Sequence, residues 1–202
     1  LKDRPAFLDG GVDLVYVGSA TERGLQLMVQ ALTPYKAELE RYVDGGGLML
    51  ATGNALDALG EYVMIDGKRA FDGLGILHTH AEYHMMKRHN SFLLGSFQDM
   101  EIVGFKSLFG HTYPDEELTD ALFRVERGVG RHPGTYAEGF RRGGLMATYL
   151  IGPLLPLNPP FTRYLLEQMG ARDVHLAFED TAMKAYRARV EEFRDEKRGY
   201  QY

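Results

Sequence analysis

A glycine-flanked stretch, residues 46–60, constrains the fold more than any other part of the chain. Residues 47–51 are a short apolar run after a glycine cluster, which predicts a buried strand. Residues 54–59 have their apolar side chains at helical spacing, so the chain must pass from strand to helix within two or three residues, at Thr52 and Gly53. This strand–turn–helix unit predicts an α/β fold.

The tip of such a turn carries the reactive residue in many hydrolases and amidotransferases, with helix-start amides beneath it. Gly53 stands at the tip here, and glycine has no side chain that can attack a carbonyl. Since glycine reaches positive φ without a Cβ clash, we expect Gly53 to keep the turn without the strain of a larger residue. Thr52 is a neighbouring hydroxyl, but alternation along the strand directs its side chain to the opposite face.

Composition excludes several classes of site and partner. The 202 residues contain no cysteine, which excludes disulfides, cysteine metal sites and thiol nucleophiles in this chain. A net charge of −5 gives no general attraction to nucleic acid or to anionic membranes. No apolar run approaches the ~20 residues that span a bilayer, and residues 1–10 lack the layout of a secretory signal. We therefore expect a cytoplasmic protein.

The rest of the chain begins with strands and helices in alternation, then runs through several strands to two terminal helices. Residues 13–17 predict a central strand, and residues 25–32 and 35–43 predict helices. Further strands are predicted at 92–97, 101–105, 122–125 and 145–150, and further helices at 160–169 and 180–197. We expect one domain, residues 1–202, built on a mixed, mostly parallel sheet flanked by helices.

Seven stretches, taken in order, carry a resemblance to a known family. They are Tyr-Val-Gly-Ser-Ala-Thr-Glu-Arg at 16–23, Ala-Leu-Gly at 58–60, Phe-Asp-Gly-Leu-Gly-Ile-Leu at 71–77, Ile-Val-Gly-Phe at 102–105, Gly-His-Thr-Tyr at 110–113, Glu-Gly at 138–139 and Thr-Tyr-Leu-Ile-Gly-Pro-Leu-Leu-Pro at 148–156. Together they resemble class I glutamine amidotransferase domains of the cobyric acid synthase type, in particular the glutaminase subunits of lipid II isoglutaminyl synthase. The resemblance runs from about residue 12 to the end and implies flavodoxin-like layers.

Members of this family hydrolyse glutamine and pass the ammonia to a synthetase partner. The resemblance places the family's catalytic cysteine at Gly53 and its catalytic histidine at Ile151. It implies that Arg88 helps to hold glutamine, and that residues 18–21 form a loop near the oxyanion site. The family's Phe-Glu-Asn-His-Gly-Gly-Arg-Thr motif matches residues 105–112 with four polar positions changed. The candidate ligand-binding residues are therefore Arg88, Gly18, Ser19 and Asn54.

The resemblance and the two replaced positions together predict a pseudoenzyme, a glutamine amidotransferase-like subunit that has lost glutaminase catalysis. Its implied partner is a Mur-ligase-like synthetase that amidates a peptidoglycan or cobalamin-type substrate, and its implied ligand is a glutamine-like small molecule. No cofactor is expected. The family's first strand and helix would precede residue 12, so we expect this chain to lack them.

Two other hypotheses stay open: an enzyme with changed chemistry in the same pocket, and a small-molecule sensor. His78, His80, His84 and His89 lie within twelve positions, and His78 and His80 would share one strand face, a spacing that suits a metal. A polar strand edge with solvated imidazoles explains the same pattern, and we expect no metal. For the remaining candidates we expect structural or solvated roles: a solvated Asp57 on the elbow helix, surface His111 and His132 in loops, and packing roles for Tyr113 and Tyr149.

Overall fold

The computed structural model describes residues 4–115 and 121–199. Strands and helices alternate at the start, a run of strands follows, and helices close the described part of the chain. The strands are β1 (Val15–Val17), β2 (Met49–Thr52), β3 (Tyr62–Ile65), β4 (Lys68–Asp72), β5 (Thr79–Tyr83), β6 (His89–Phe97), β7 (Met100–Leu108), β8 (Gly110–Pro114), β9 (Phe123–Arg127), β10 (Ala137–Glu138), β11 (Phe140–Arg142) and β12 (Leu145–Thr148).

The helices lie where apolar residues recur at helical spacing. They are α1 (Glu22–Leu32), α2 (Lys36–Asp44), α3 (Ala55–Leu59), α4 (Leu154–Leu157), α5 (Pro159–Gln168) and α6 (Glu179–Arg194), with 3-10 turns at Ala6–Asp9 and Thr33–Tyr35. The side chain of Thr21 caps α1 by accepting a hydrogen bond from the backbone N–H of Gly24. Within the described residues, no helix combines the length and the apolar character that crossing a bilayer requires.

The sheet that carries the strand–helix turn has the order β1-β2-β12-β11. β2 pairs in parallel with both β1 and β12, and β11 is antiparallel to β12. Every residue of β2 and β12 is buried, which is typical of strands in a sheet covered on both faces. β1 lies at the end of this order and its Tyr16 is 60% exposed, so the prediction of a central strand at residues 13–17 is wrong.

Alternate residues of β2 and β12 enter two different hydrophobic cores. Met49 and Ala51 pack with the buried faces of α1, α2 and α3, whereas Leu50 packs with β6, β7, β9 and α5. β12 repeats this division, with Ala147 in the first core and Met146 in the second. Because successive strand residues point to opposite faces, this sheet lies between a layer of helices and the second sheet.

The second sheet, in the order β10-β9-β6-β7, is antiparallel throughout its described strands. α6 covers it through Tyr186, Val190 and Phe193, which pack against Leu94 and Val103. Although α6 is rich in charged residues, it therefore has one buried stripe. The third sheet, β4-β3-β5-β8, contains one parallel pair between two antiparallel ones.

The predicted class, a mixed α/β fold with helices flanking the sheet, is confirmed. Mostly parallel pairing, however, is confined to the sheet that carries the turn, and the described strands form three sheets rather than one. The reason lies in the connections. Only Gln98 and Asp99 join β6 to β7, and only Asp66 and Gly67 join β3 to β4, and such short loops permit antiparallel pairing alone.

Candidate functional site

The strand–helix turn has the path that the sequence predicts. β2 ends at Thr52 and α3 begins at Ala55, and between them Gly53 has a φ of +62°. The carbonyl of Gly53 accepts a hydrogen bond from Leu56 N–H at 3.3 Å, which closes the first turn of α3. This left-handed conformation favours glycine, because a Cβ would meet the neighbouring backbone.

The space that a side chain at position 53 would need is occupied. A Cβ built on Gly53 would overlap Ser19 Oγ, lie 2.7 Å from Ile151 Cγ2 and lie 3.1 Å from Ser19 Cβ. Cβ atoms in real proteins do not approach other atoms this closely, so the Ser19 side chain would have to rotate away and the segment of Ile151, which follows β12, would have to shift. A larger residue at position 53 would therefore clash with its neighbours as well as strain the backbone.

Asn54 holds the Ser19 loop against the turn. Its side-chain Nδ2 donates to the carbonyl of Ala20 at 2.7 Å, and its Oδ1 accepts from the Ala20 N–H at 3.0 Å. Both polar groups of Asn54 are thus engaged with the loop backbone. Ser19 Oγ adds a 3.4 Å contact to the carbonyl of Thr52.

Thr52, the hydroxyl nearest to the turn, is engaged elsewhere. Its Oγ1 lies 2.8 Å from Tyr16 Oη, and only 4% of the residue is exposed. Thr52 does not line the pocket beside Gly53. The alternation argument made from the sequence agrees with this placement.

The pocket in front of the turn has a volume of about 320 Å³. Three of the four candidate ligand-binding residues line it, namely Ser19, Asn54 and Arg88, and Gly18 does not. Arg88 is exposed, with its guanidinium carbon 5.0 Å from the centre of the Phe109 ring. The remaining lining residues are Ala20, Thr21, Glu22, Gly53, Tyr83, Ser107, Leu108, Phe109 and Ile151.

Ile151 supplies no acid or base to this pocket. Its backbone N–H donates to the carbonyl of Phe105 at 2.9 Å, and its branched side chain is the group nearest to Gly53 after Ser19. Among the described residues that line the pocket there is no cysteine and no histidine. The pocket therefore lacks a thiol and an imidazole within the part of the chain that the structure describes.

Asp57 of α3 is buried, which contradicts the expectation of a solvated residue. It is 1% exposed, and the hydroxyls of Tyr83 and Tyr149 each donate to it at 2.6 Å. Burial raises the pKa of Asp57 to about 7, although both hydrogen bonds act in the opposite direction. Because Tyr83 also lines the pocket, Asp57 lies one side chain behind its wall.

A buried ion pair joins β7 to β10. Lys106 and Glu138 are both 0% exposed, with Nζ and Oε2 2.9 Å apart. Lys106 also donates to the carbonyl of Gly130, and Glu138 accepts from Thr148 Oγ1 at 2.9 Å and from Tyr149 N–H at 2.7 Å. Such a pair needs these additional hydrogen bonds to offset desolvation of both charges.

Sequence reasoning missed this ion pair, although one signal was available. Along β7 the residues Ile102, Gly104, Lys106 and Leu108 alternate onto one buried face. Lys106 on this face is a buried charge, and a buried charge requires a partner of opposite charge. The identity of that partner, 32 residues away, was not readable from the spacing.

The histidine candidates lie outside the pocket. His78 pairs with Glu61 at 3.0 Å, His80 pairs with Asp115, and His84 is exposed. In residues 4–115 and 121–199 no group of three or more histidine, cysteine, aspartate or glutamate side chains could hold a metal ion. None of these three histidines lines the pocket beside Gly53.

His111 lies in β8, so its predicted placement in a loop is wrong. Its ring centre is 5.0 Å from that of His89, and its Nδ1 is buried without a hydrogen-bond partner in the described residues. Burial, together with His89 and Lys106, lowers the pKa of His111 to about 4, so the imidazole is neutral near pH 7. His132 is in a loop and stacks on Tyr113, with ring centres 4.8 Å apart.

Two proteins of known function are similar to this chain in sequence. The chain is 31% identical over 161 residues to the lipid II isoglutaminyl synthase (glutamine-hydrolyzing) subunit GatD of Staphylococcus aureus, a match that covers 79% of this chain and 65% of that protein. It is 23% identical over 185 residues to the subunit of the same name from Streptococcus pneumoniae, covering 86% and 69%. The chain thus spans about two thirds of the length of these relatives.

A solved structure is similar in fold. A crystal structure of a glutamine amidotransferase superposes with a TM-score of 0.55 at 18% sequence identity, covering 80% of this chain and 82% of that one. No protein-family model matches the chain. The fold is therefore glutamine amidotransferase-like, as the sequence motifs implied.

Proposed function

We propose that this chain is a glutamine amidotransferase-like subunit that has lost glutaminase catalysis and acts as a binding or regulatory partner of a Mur-ligase-like synthetase in cell-wall amidation. We place it in the cytoplasm and treat residues 1–202 as one domain. The observation that carries the proposal is the filled position at the turn, where Ser19 and Ile151 take the space that a side chain at Gly53 would need.

Hydrolysis of a carboxamide through a covalent intermediate requires a nucleophile, a base that accepts its proton and donors for the oxyanion. The chain has no cysteine to supply a thiolate. At the position that matches the family's histidine, Ile151 cannot accept a proton. Thr52 is a poor substitute nucleophile because its hydroxyl is buried and bonded to Tyr16.

The similarity to the two GatD subunits supports a synthetase partner, because their name describes one subunit of a glutamine-hydrolysing synthase. A subunit that keeps its fold after losing its chemistry can still bind such a partner, because binding depends on surface and shape rather than on the reactive atoms. Cell-wall amidation is favoured over cobalamin-type amidation because both relatives are lipid II isoglutaminyl synthase subunits.

The lining and the volume of the pocket beside Gly53 support the binding of a small ligand. Arg88 presents a guanidinium at its rim and Ser107 lines its wall, and the pocket volume of about 320 Å³ suits a molecule of amino-acid size. We propose a glutamine-like ligand that is bound and not hydrolysed. Since Asn54 is engaged with Ala20, we assign it to holding the loop rather than to contacting the ligand.

Glutamate release from glutamine tests the loss of catalysis, with the protein alone and with the synthetase co-expressed from the same genome. We expect no release above background from the parent or from Gly53→Cys, because the latter still lacks a base at Ile151. Release that depends on this protein, and that persists after Thr52→Val and Ser19→Ala, would contradict the proposal.

Co-purification and elemental analysis separate the proposal from its alternatives. A stoichiometric complex with the synthetase supports the subunit role, and its absence would argue against that role even if glutaminase activity is missing. We expect no zinc, nickel or copper in dialysed protein. A metal that disappears in His78→Ala and His80→Ala variants would instead support metal-assisted chemistry.

A further inference from the structure

An arginine-rich pocket lies where the β6–β7 turn meets β9 and β11. Its volume is about 600 Å³, and it shares no lining residue with the pocket beside Gly53. The polar residues that line it are Ser96, Gln98, Arg124, Arg141 and Arg142. No aspartate or glutamate among the described residues lines it.

One of the three guanidinium groups is neutralised. Arg142 donates to both carboxylate oxygens of Asp44, at 2.9 Å and 2.8 Å, and also to the carbonyl of Ile76. In the described residues, Arg124 and Arg141 form no ion pair. Within residues 4–115 and 121–199, Arg124 and Arg141 therefore have no carboxylate partner.

Arg141 is oriented by aromatic groups and not by an opposite charge. Its guanidinium carbon is 5.8 Å from the centre of the Phe97 ring, and its Nη2 lies 3.5 Å from Tyr164 Oη. Arg124 is fixed through its backbone, which pairs with Ser96 across β6 and β9 and with Ala137 of β10. Both side chains are exposed, so they are accessible to a ligand.

A positively charged pocket indicates a specific anion site more strongly on this chain than on a basic protein, because the chain as a whole is acidic. It has 28 aspartates and glutamates against 23 lysines and arginines, a net charge of −5. Two arginines that form no ion pair in the described part of the chain, at one concave place, are therefore not the product of a generally basic surface, and they attract anions.

We propose that this pocket binds a phosphate-bearing anion, either a phosphate ester or a diphosphate. The planar fork of arginine matches two phosphate oxygens at once, and the Ser96 hydroxyl and the Gln98 amide add neutral donors. A volume of about 600 Å³ accommodates a small molecule larger than the phosphate group itself. This inference does not depend on the proposed pseudoenzyme role.

Isothermal titration calorimetry of the full chain with pyrophosphate tests the proposal at low ionic strength. The full chain includes the acidic residues outside the described ranges, Asp3, Glu116, Glu117 and Asp120, so the titration tests the pocket in their presence. We expect saturable binding by the parent, weakened about tenfold or more in Arg124→Gln and in Arg141→Gln. Arg187→Gln removes one exposed charge from α6 without touching the pocket, and we expect its affinity to stay within about twofold of the parent's.

Three results would overturn the proposal. They are absent binding by the parent, equal weakening in Arg187→Gln, and equal affinity for malonate, which would show that the pocket does not select phosphate. Thermal unfolding of each variant shows whether the fold is retained. Arg141→Lys keeps the charge and loses the fork, so we expect it to bind pyrophosphate less tightly than the parent and more tightly than Arg141→Gln.

Discussion

Replacing Gly53 with alanine tests whether the turn is closed to side chains. The substitution adds one methyl group at a residue with a φ of +62°. That methyl would overlap Ser19 Oγ and lie 2.7 Å from Ile151 Cγ2. The new contacts involve Ser19, in a loop whose backbone Asn54 holds in place, and Ile151, three positions after the end of β12, so neither backbone moves freely.

Two separate costs lower the free energy of unfolding of this variant. A non-glycine residue in the left-handed region costs about 1–2 kcal/mol of folding free energy. Overpacking at a filled site costs about 1–3 kcal/mol more. We therefore expect Gly53→Ala to lower the free energy of unfolding by about 2–5 kcal/mol.

Gly67 provides a matched control. It also has a positive φ, +78°, but an added Cβ there meets nothing within 4 Å. Gly67→Ala should therefore show the backbone cost alone, about 1 kcal/mol. Adding Ser19→Ala to Gly53→Ala removes the overlapping hydroxyl and should recover about 1 kcal/mol, whereas Ser19→Ala alone should be nearly neutral.

Urea denaturation followed by circular dichroism at one fixed pH measures all four variants against the parent. If Gly53→Ala is no less stable than Gly67→Ala, the space at the turn is not filled as described. If Ser19→Ala gives no recovery in the double variant, the loop is not the neighbour that excludes the side chain. Either result would remove the filled space at the turn as support for the proposed function.

Three further variants test the contacts around the site. The folded state keeps a proton on Asp57 that the unfolded chain releases, so the contribution of Asp57 to the free energy of unfolding should fall by up to ~1.4 kcal/mol per pH unit as the pH rises from about 4 to about 7. The lowered pKa of His111 acts in the opposite direction, so the difference between the parent and Asp57→Asn in urea titrations at each pH isolates the Asp57 contribution. Lys106→Met leaves Glu138 buried without its cation and should cost about 3–5 kcal/mol, part of which Glu138→Gln in the same chain should restore; an unchanged urea midpoint would contradict the buried pair. Asn54→Ala removes two hydrogen bonds to Ala20 and should accelerate hydrogen exchange at the Ala20 amide, while exchange in β12 stays slow.

Features set by neighbouring residues were readable from the sequence. The apolar run before Gly53 and the helical spacing after it predict the strand, the turn and the helix, because each depends on a few consecutive residues. An Asp-Gly pair such as Asp66-Gly67 is typical of a two-residue hairpin turn for the same reason, and these two residues join β3 to β4 with positive φ. The family motifs added the fold, which the structural comparison supports.

Other features depend on residues far apart in the chain, and the sequence predicted them wrongly or not at all. Asp57 has the spacing of a solvated helix residue, but Tyr83 and Tyr149, which are 26 and 92 positions away, enclose it. β1 has the composition of a central strand, yet only the pairing of the other strands decides that it lies at an end. Burial and pairing are set by which distant segments pack together, and local spacing does not encode that choice.

Gly53 has one property that its own identity determines and another that distant segments of the chain determine. The sequence by itself determined that position 53 is a glycine, and so that no side chain can react there. Only the tertiary structure decided that the space is closed, because Ser19 comes from the loop after β1 and Ile151 follows β12, and the two meet over Gly53 when these strands pair on either side of β2. Removal of the reactive atom is a property of one residue, whereas closure of its site is a property of three strands packed together.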